Sequence, residues 1–138
     1  MMAASSMGAV AFQKGLGAMH AMSHPCSSLR GTHHGLTNAV VMPYVIAHNL
    51  PVIKERLAAL ARYLDLPGQS PESVVDWVLA LRKRVGIPHT LKEIGVDVDM
   101  IAQAAPMAEI DPPNTGNPVP LKAKDYEKLY AAAISGTL

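Results

Sequence analysis

The 138-residue sequence predicts an all-α fold. Apolar side chains recur three and four residues apart in several segments, which is the spacing of one face of a helix. No segment shows the strict apolar–polar alternation of a half-buried strand between turns. Residues typical of helix starts and stops flank these segments, such as Ser70-Pro71 before one and Gly86 after it. The length suits a single domain, spanning residues 1–138.

The first half of the chain is predicted to form three helices. Pro25 is expected to end the first, because the residue before a proline is pushed out of the α region. Pro43 is expected to kink the second. Asn49 can cap the third, with Pro51 in its first turn. The predicted helices span residues 2–24, 33–48 and 50–65, with a loop over 26–32.

The second half is predicted to add shorter helices. Thr90 and Glu93 form a capping box for one short turn, and Pro106 is expected to end the helix that Asp97 caps. The basic run Arg82–Arg84 is interpreted as a solvated face. The predicted helices span residues 71–85, 97–105 and 123–134, with a proline-rich surface loop over 109–120. The inner face of the last helix is predicted to comprise Tyr126, Leu129, Tyr130 and Ala133.

Composition and charge argue against several function classes. The net charge is +1 with no basic patch, so nucleic-acid binding is not expected. Residues 31–53 contain no charged side chain, which fits a membrane span or a buried core. Their prolines, asparagines and histidines are poor bilayer residues, so we expect core and no membrane association. The apolar amino terminus lacks the basic start of a secretory signal, and a single cysteine, Cys26, fits a reducing, cytoplasmic compartment.

Chemistry is concentrated in one histidine-rich stretch, residues 15–49, which holds five of the six histidines. His20 and His24 are four residues apart and share one helix face, and a turn-rich segment could fold His34 back beside them. Ala21 replaces the glutamate of the H-E-x-x-H motif, so a zincin protease is not supported. Two interpretations stay open: a metal or acid–base site, or hydrogen-bonded core histidines. Cys26 is either a further ligand or a small buried apolar residue.

At these residues the sequence resembles the iron-containing alcohol dehydrogenase family. A Gly-Leu-Gly is followed by His, three residues, His-Pro, nine residues and His-Gly, and then by Asn-Ala, Pro-x-Val and Asn. The later "GIP" turn, "GNP" loop and final "D-x-x-x-L-Y" helix also match in order. The matching residues are Gly15–Gly17, His20, His24-Pro25, His34-Gly35, Asn38-Ala39, Pro43–Val45, Asn49, Gly86–Pro88, Thr115–Pro118 and Asp125–Tyr130.

The resemblance implies a function and assigns roles to three residues. Family members have a nucleotide-binding α/β domain followed by an all-helical domain, with a divalent metal, usually Fe²⁺ and sometimes Zn²⁺, in the cleft between them. His20 and His34 match two of the three histidine ligands, and His24 matches a histidine beside the substrate and the nicotinamide that is implicated in proton relay. The implied reaction is oxidation of a primary alcohol to an aldehyde with NAD or NADP, or its reverse, in an enzyme that often dimerises.

The departures from the family pattern leave two hypotheses. The aspartate ligand, the first histidine ligand and the nucleotide-binding domain have no counterpart in the sequence, and Ser27 and Val119 replace the family's usual glycine and arginine. The chain is therefore expected to begin inside an element, as the carboxyl-terminal domain of an enzyme that is active only with the missing domain. The alternative is a non-catalytic helical remnant that binds a divalent metal through its histidines.

Overall fold

The computed structural model describes residues 1–138 and contains six α-helices and no strands, which confirms the all-α prediction. Four short 3-10 segments connect or extend the helices. The helices are α1 (Met2–Ala11), α2 (Ala18–Arg30), α3 (His34–Tyr63), α4 (Pro71–Arg84), α5 (Ile101–Ile110) and α6 (Ala123–Ser135). The 3-10 segments are Phe12–Lys14, Lys92–Ile94, Val98–Met100 and Pro112–Gly116.

The prediction of one helix over residues 2–24 is wrong in two ways: the helix is interrupted between α1 and α2, and α2 continues beyond residue 24 to Arg30. Gly15 has a φ of 99°, a conformation open to glycine, and it separates α1 from α2. Pro25 lies inside α2 and does not end it. Its missing N–H costs one backbone hydrogen bond, and burial of the surrounding side chains, including Met22 and Cys26, offsets that loss. The helix ends at Gly31, which adopts the left-handed conformation with a φ of 66°.

The second and third predicted helices form one continuous helix, α3. Pro43 and Pro51 both lie inside it. Asn49 does not cap a new helix, because its side chain is buried and bonded to Asn117 in a distant loop. By length and composition α3 could cross a membrane, but core helices of soluble proteins pass the same test.

The bounds of α4 agree with the prediction, but its basic run Arg82–Arg84 is not solvated throughout. Ser70 caps the helix and Pro71 occupies its first turn. Arg82 is buried, and its Nη2 donates to the carbonyl oxygens of Pro88 (2.6 Å) and His89 (3.1 Å). The solvated-face interpretation is therefore wrong for Arg82, which donates to the carbonyl group of Pro88 in the "GIP" turn and to that of His89 directly after it.

The remaining elements bring the carboxyl-terminal third back onto α2. Asp97 caps the 3-10 turn ahead of α5, as predicted for the start of that helix, but Pro106 lies inside α5 and the helix continues to Ile110. The proline-rich loop is partly ordered as the 3-10 segment Pro112–Gly116, which packs against α2. The predicted inner face of α6 is confirmed, since all four of its residues are buried.

One apolar core of 20 buried residues joins α2, α3, α5 and α6. A small satellite cluster of Ala61, Leu66 and Val74 packs α4 against the end of α3. The first helix, α1, buries no residue. The central position in this arrangement belongs to α2, which contacts α3, α5 and the Pro112–Gly116 segment.

Candidate metal site

Three histidines from two helices meet at one end of the bundle. His20 and His24 lie one turn apart on α2, and His34 is the first residue of α3. Their ring centroids are 6.1 Å apart for His20 and His24, 5.2 Å for His20 and His34, and 5.1 Å for His24 and His34. The sharp reversal at Gly31 returns the chain and places His34 against the face of α2 that carries the other two rings.

His34 is held by hydrogen bonds at both ring nitrogens. Its Nδ1 lies 3.2 Å from Oγ of Ser23, and its Nε2 lies 3.0 Å from Nδ2 of Asn38. The Ser23 hydroxyl donates its own proton to the carbonyl oxygen of His20, at 3.1 Å, so it accepts from Nδ1–H of His34. In neutral His34 the lone pair therefore lies on Nε2, the nitrogen beside Asn38.

His24 is paired with a carboxylate from a distant part of the chain. Its Nδ1 lies 2.8 Å from Oδ2 of Asp111, the residue that follows α5. The His24 side chain is 41% exposed and that of Asp111 only 14% exposed. Asp111 is the acidic side chain that the fold delivers to the histidine cluster, whose own helices carry no carboxylate before Glu55.

The electrostatics favour neutral imidazoles at His20 and His34. Burial, followed by the charges that His34 and His24 would carry, lowers the pKa of His20 below its ordinary value. Burial also lowers the pKa of His34, with further contributions from His24 and His33. A neutral imidazole has a free lone pair, which is what a metal ligand requires.

These donors fit part of a coordination shell for a divalent metal. Imidazole nitrogen suits Fe²⁺ and Zn²⁺ alike. No group of three or more His, Cys, Asp or Glu side chains is arranged to hold an ion. His20 and His34 would therefore be two ligands in a shell that needs others, and Asn38 would have to release Nε2 of His34.

The other candidate ligands of the stretch do not join the cluster. Cys26 is completely buried, and that burial raises the pKa of its thiol to about 12, which leaves it a protonated core residue. Nδ1 of His33 accepts from the backbone N–H of Leu36 and caps α3. His48 lies four turns further along the same helix, beside Tyr44 and Ala47.

The loop that follows α5 also fixes the start of α2. Gly17 offers no capping side chain, and Oδ1 of Asn117 accepts from the backbone N–H of Ala18 at 3.2 Å. Asn117 and Asn49 form a reciprocal amide pair, with both hydrogen bonds at 3.0 Å. This Asn49–Asn117 pair joins the middle of α3 to the loop and to the first turn of the histidine helix.

The sequence alone did not identify Ser23, Asn117 or Asp111 as parts of the site. The signal for Ser23 was present, since it adjoins His24 on a helix whose neighbour carries His34. Asp111 stands before two prolines in a segment interpreted as a surface loop, and nothing local in the sequence connects it to His24.

Comparisons with known proteins match nearly the whole chain. The model of the Fe-containing alcohol dehydrogenase family, C-terminal part, matches residues 1–134. A 4-hydroxybutyrate dehydrogenase from Cupriavidus necator is 38% identical over 94% of this chain and 36% of its own length. Lactaldehyde reductase from Escherichia coli K12 is 34% identical over 86% of this chain and 33% of its own length.

Solved structures agree with the sequence matches. A crystal structure of a 1,3-propanediol oxidoreductase superposes with a TM-score of 0.81 at 29% identity, covering 86% of this chain and 33% of that one. An iron-containing alcohol dehydrogenase from Thermococcus thioreducens gives a TM-score of 0.78 at 31% identity, covering 88% of this chain and 32% of that one. The chain therefore spans about a third of the length of the relatives it matches.

Proposed function

Because this chain belongs to the Fe-containing alcohol dehydrogenase family, we propose that it acts as the metal-holding helical domain of an NAD(P)-dependent alcohol dehydrogenase. The proposed reaction interconverts a small primary alcohol and its aldehyde. The relatives named as 4-hydroxybutyrate dehydrogenase and lactaldehyde reductase support a substrate of this class. The nucleotide-binding domain would be supplied outside these 138 residues, and the cytoplasm is the proposed compartment.

The convergence of the three histidines is the observation that carries the proposal. In the proposed enzyme, His20 and His34 each contribute one imidazole nitrogen to a divalent metal. Fe²⁺ is favoured over Zn²⁺ because the family is that of the Fe-containing alcohol dehydrogenases. His24, whose ring stacks on that of His34 with an interplanar angle of 20°, stands beside the substrate and the nicotinamide and relays a proton.

The chain's own residues perform the positioning. Ser23 orients the ring of His34, and the turn at Gly31 sets α3 against α2. The partial exposure of His24 leaves its ring accessible from outside the bundle. When bound, the metal supplies Lewis-acid polarisation of the alcohol oxygen and the nicotinamide supplies the hydride acceptor.

The first test is metal binding by the 138-residue chain. Co²⁺ or Zn²⁺ titration of the wild type should give a weak site that His34→Ala abolishes. His48→Ala is the matched control, because it removes an imidazole from the same helix outside the cluster. Equal binding by wild type and His34→Ala would overturn the ligand assignment.

The second test separates an enzyme domain from a non-catalytic remnant. This chain would replace the corresponding third of the Cupriavidus necator relative, which supplies the remaining two thirds. The chimera should retain metal and oxidise an alcohol with NAD or NADP, and His34→Ala should lose both properties. A folded, metal-loaded chimera without activity would favour the remnant.

A further inference from the structure

We propose that Asp111 is a positioning residue for His24, holding the imidazole in the tautomer whose Nε2 is free to take a proton. This inference rests on the proposed function in one respect, namely that the proton comes from the alcohol substrate. In the proposed alcohol oxidation a bound nicotinamide would accept the C–H hydride and Nε2 of His24 would take the O–H proton, which would leave an aldehyde and an imidazolium. In the reverse reaction Nε2 returns the proton to the oxygen of the new alcohol.

The contact between the two side chains defines the tautomer. An ionised carboxylate can only accept hydrogen bonds, so Oδ2 of Asp111, 2.8 Å from Nδ1 of His24, requires the proton to be on Nδ1. A neutral imidazole has one N–H, and its lone pair then lies on Nε2. Nε2 of His24 has no hydrogen-bond partner within the chain, so it is available to an incoming group.

The surroundings of Asp111 make His24 its necessary partner. The carboxylate is mostly buried, and its Oδ1 has no hydrogen-bond partner. The bond to His24 is the single hydrogen bond that this side chain makes. Buried charges require partners, and this one has neither an arginine nor a lysine within salt-bridge distance. The Nδ1–H of His24 is therefore the one donor that the structure supplies to this carboxylate, and the pairing holds the imidazole ring in place.

The backbone around Asp111 is fixed rather than free. Its extended conformation, with φ −66° and ψ 130°, is the one that a residue before proline adopts, and Pro112 follows. Asn114 donates from its backbone to the Asp111 carbonyl at 2.9 Å. The Asn114 side chain bonds to the carbonyls of Glu109 and Leu121 and accepts from the Tyr126 hydroxyl. The carboxylate is thus presented from a braced turn, as preorganised site residues require.

The experiment reads the tautomer directly, without metal and without activity. Long-range ¹⁵N–¹H NMR spectra of the labelled 138-residue chain distinguish Nδ1–H from Nε2–H imidazole, and His24→Gln identifies the resonances. Wild-type His24 should be the Nδ1–H form. Asp111→Asn, which keeps the shape of the side chain, and Asp111→Ala, which removes the acceptor, should shift His24 towards the Nε2–H form. Asp99→Asn is the matched control: Asp99 pairs at 2.6 Å with Arg30, on the same helix as His24, but does not touch the cluster.

A wild-type His24 in the Nε2–H form would overturn the inference, and this reading stands even if the Asp111 variants fail to fold. Unchanged His24 spectra in folded Asp111→Asn and Asp111→Ala would also overturn it. In an active chimera, Asp111→Asn should lower kcat about 10- to 100-fold with little change in KM, by analogy with the loss that follows mutation of the partners of metal-ligating histidines. An inactive chimera with the predicted tautomer change would count against the proposed function and leave the positioning role intact.

Discussion

Among the glycines of the chain, Gly116 is the one at which an added methyl group would meet the closest neighbouring atom, so we predict that Gly116→Ala destabilises the fold. A methyl group added there would lie 2.0 Å from the backbone carbonyl oxygen of Leu16, a separation that neither segment can accommodate without moving. Leu16 belongs to the Gly15–Gly17 link that leads into α2. The atoms that the added methyl group would meet are backbone atoms of Leu16. A flexible side chain cannot swing away to relieve the clash, so Gly116→Ala must separate the loop from the start of α2.

The cost can be estimated from the contacts that this separation disturbs. Asn117, the next residue, bonds to Ala18 at 3.2 Å and twice to Asn49 at 3.0 Å. Each such hydrogen bond contributes about 1 kcal/mol net, and overpacking of a fitted contact costs about 1–3 kcal/mol. Loss of one or two bonds together with the clash gives about 2–5 kcal/mol. Since small proteins are stable by only about 5–15 kcal/mol, this is a large fraction of the total.

Urea unfolding followed by circular dichroism measures the loss, with Gly8→Ala as the matched control. A methyl group at Gly8 meets nothing within 4 Å, and Gly8 lies in the interior of the exposed helix α1. The control should be unchanged or stabilised by up to about 1 kcal/mol, from helix propensity alone. A Gly116→Ala variant with an unfolding free energy within about 0.5 kcal/mol of wild type, the range of ordinary surface changes, would refute the reasoning.

Two further predictions follow from the hydrogen bonds of Ser23 and Glu93. Ser23→Ala removes the acceptor for His34 Nδ1–H and should weaken Co²⁺ or Zn²⁺ binding about 10-fold or more in the titration above. Ser27→Ala is the matched control, because Ser27 lies on the same helix with a buried hydroxyl that has no partner, and it should leave metal binding unchanged. The side-chain and backbone hydrogen bonds from Thr90 lower the pKa of Glu93, so its stabilising effect is present above its unfolded pKa of about 4.3 and is lost as the pH falls through the lower folded value. Glu93→Gln should therefore flatten the decline of the urea midpoint below about pH 4.3, and an equally steep decline in the variant would contradict this.

The all-α class and the bounds of α4 and α6 were predictable from the sequence, whereas the bounds of the helices that contain interior prolines were not. Periodic apolar residues predicted the fold class and the bounds of α4 and α6, and the caps predicted at Ser70 and Asp97 are present. Pro25 and Pro106 were expected to end helices and did not. An interior proline costs about 3 kcal/mol in an isolated helix, and only tertiary packing can offset that. Packing of this kind depends on residues distant in sequence, such as Tyr130, whose hydroxyl donates to the carbonyl of Met22 at 2.7 Å.

The same distinction separates the two halves of the candidate site. The histidines were predictable because local features bring them together. His20 and His24 are four residues apart on one helix, and a single turn separates that helix from His34. Asp111 was not predictable, because it lies 87 residues from His24 in the chain and reaches it through the packing of α5 and the Pro112–Gly116 segment against α2. The sequence showed its loop as a set of turn-forming residues, and neither proline content nor charge distinguishes a surface loop from one that packs against a helix.

The loop 111–117 couples the stability of the fold to the geometry of the site. One end carries the carboxylate that contacts His24, and the other carries the amide that caps α2 and bonds to α3. The histidine helix is therefore held by this loop at its first turn and again at His24, with His20 between the two contacts. A shift of the loop would alter the start of α2 and the ring of His24 together. The fixed start of α2 and the paired His24 are thus two results of one packing contact, which stabilises the fold and prepares the site at the same time.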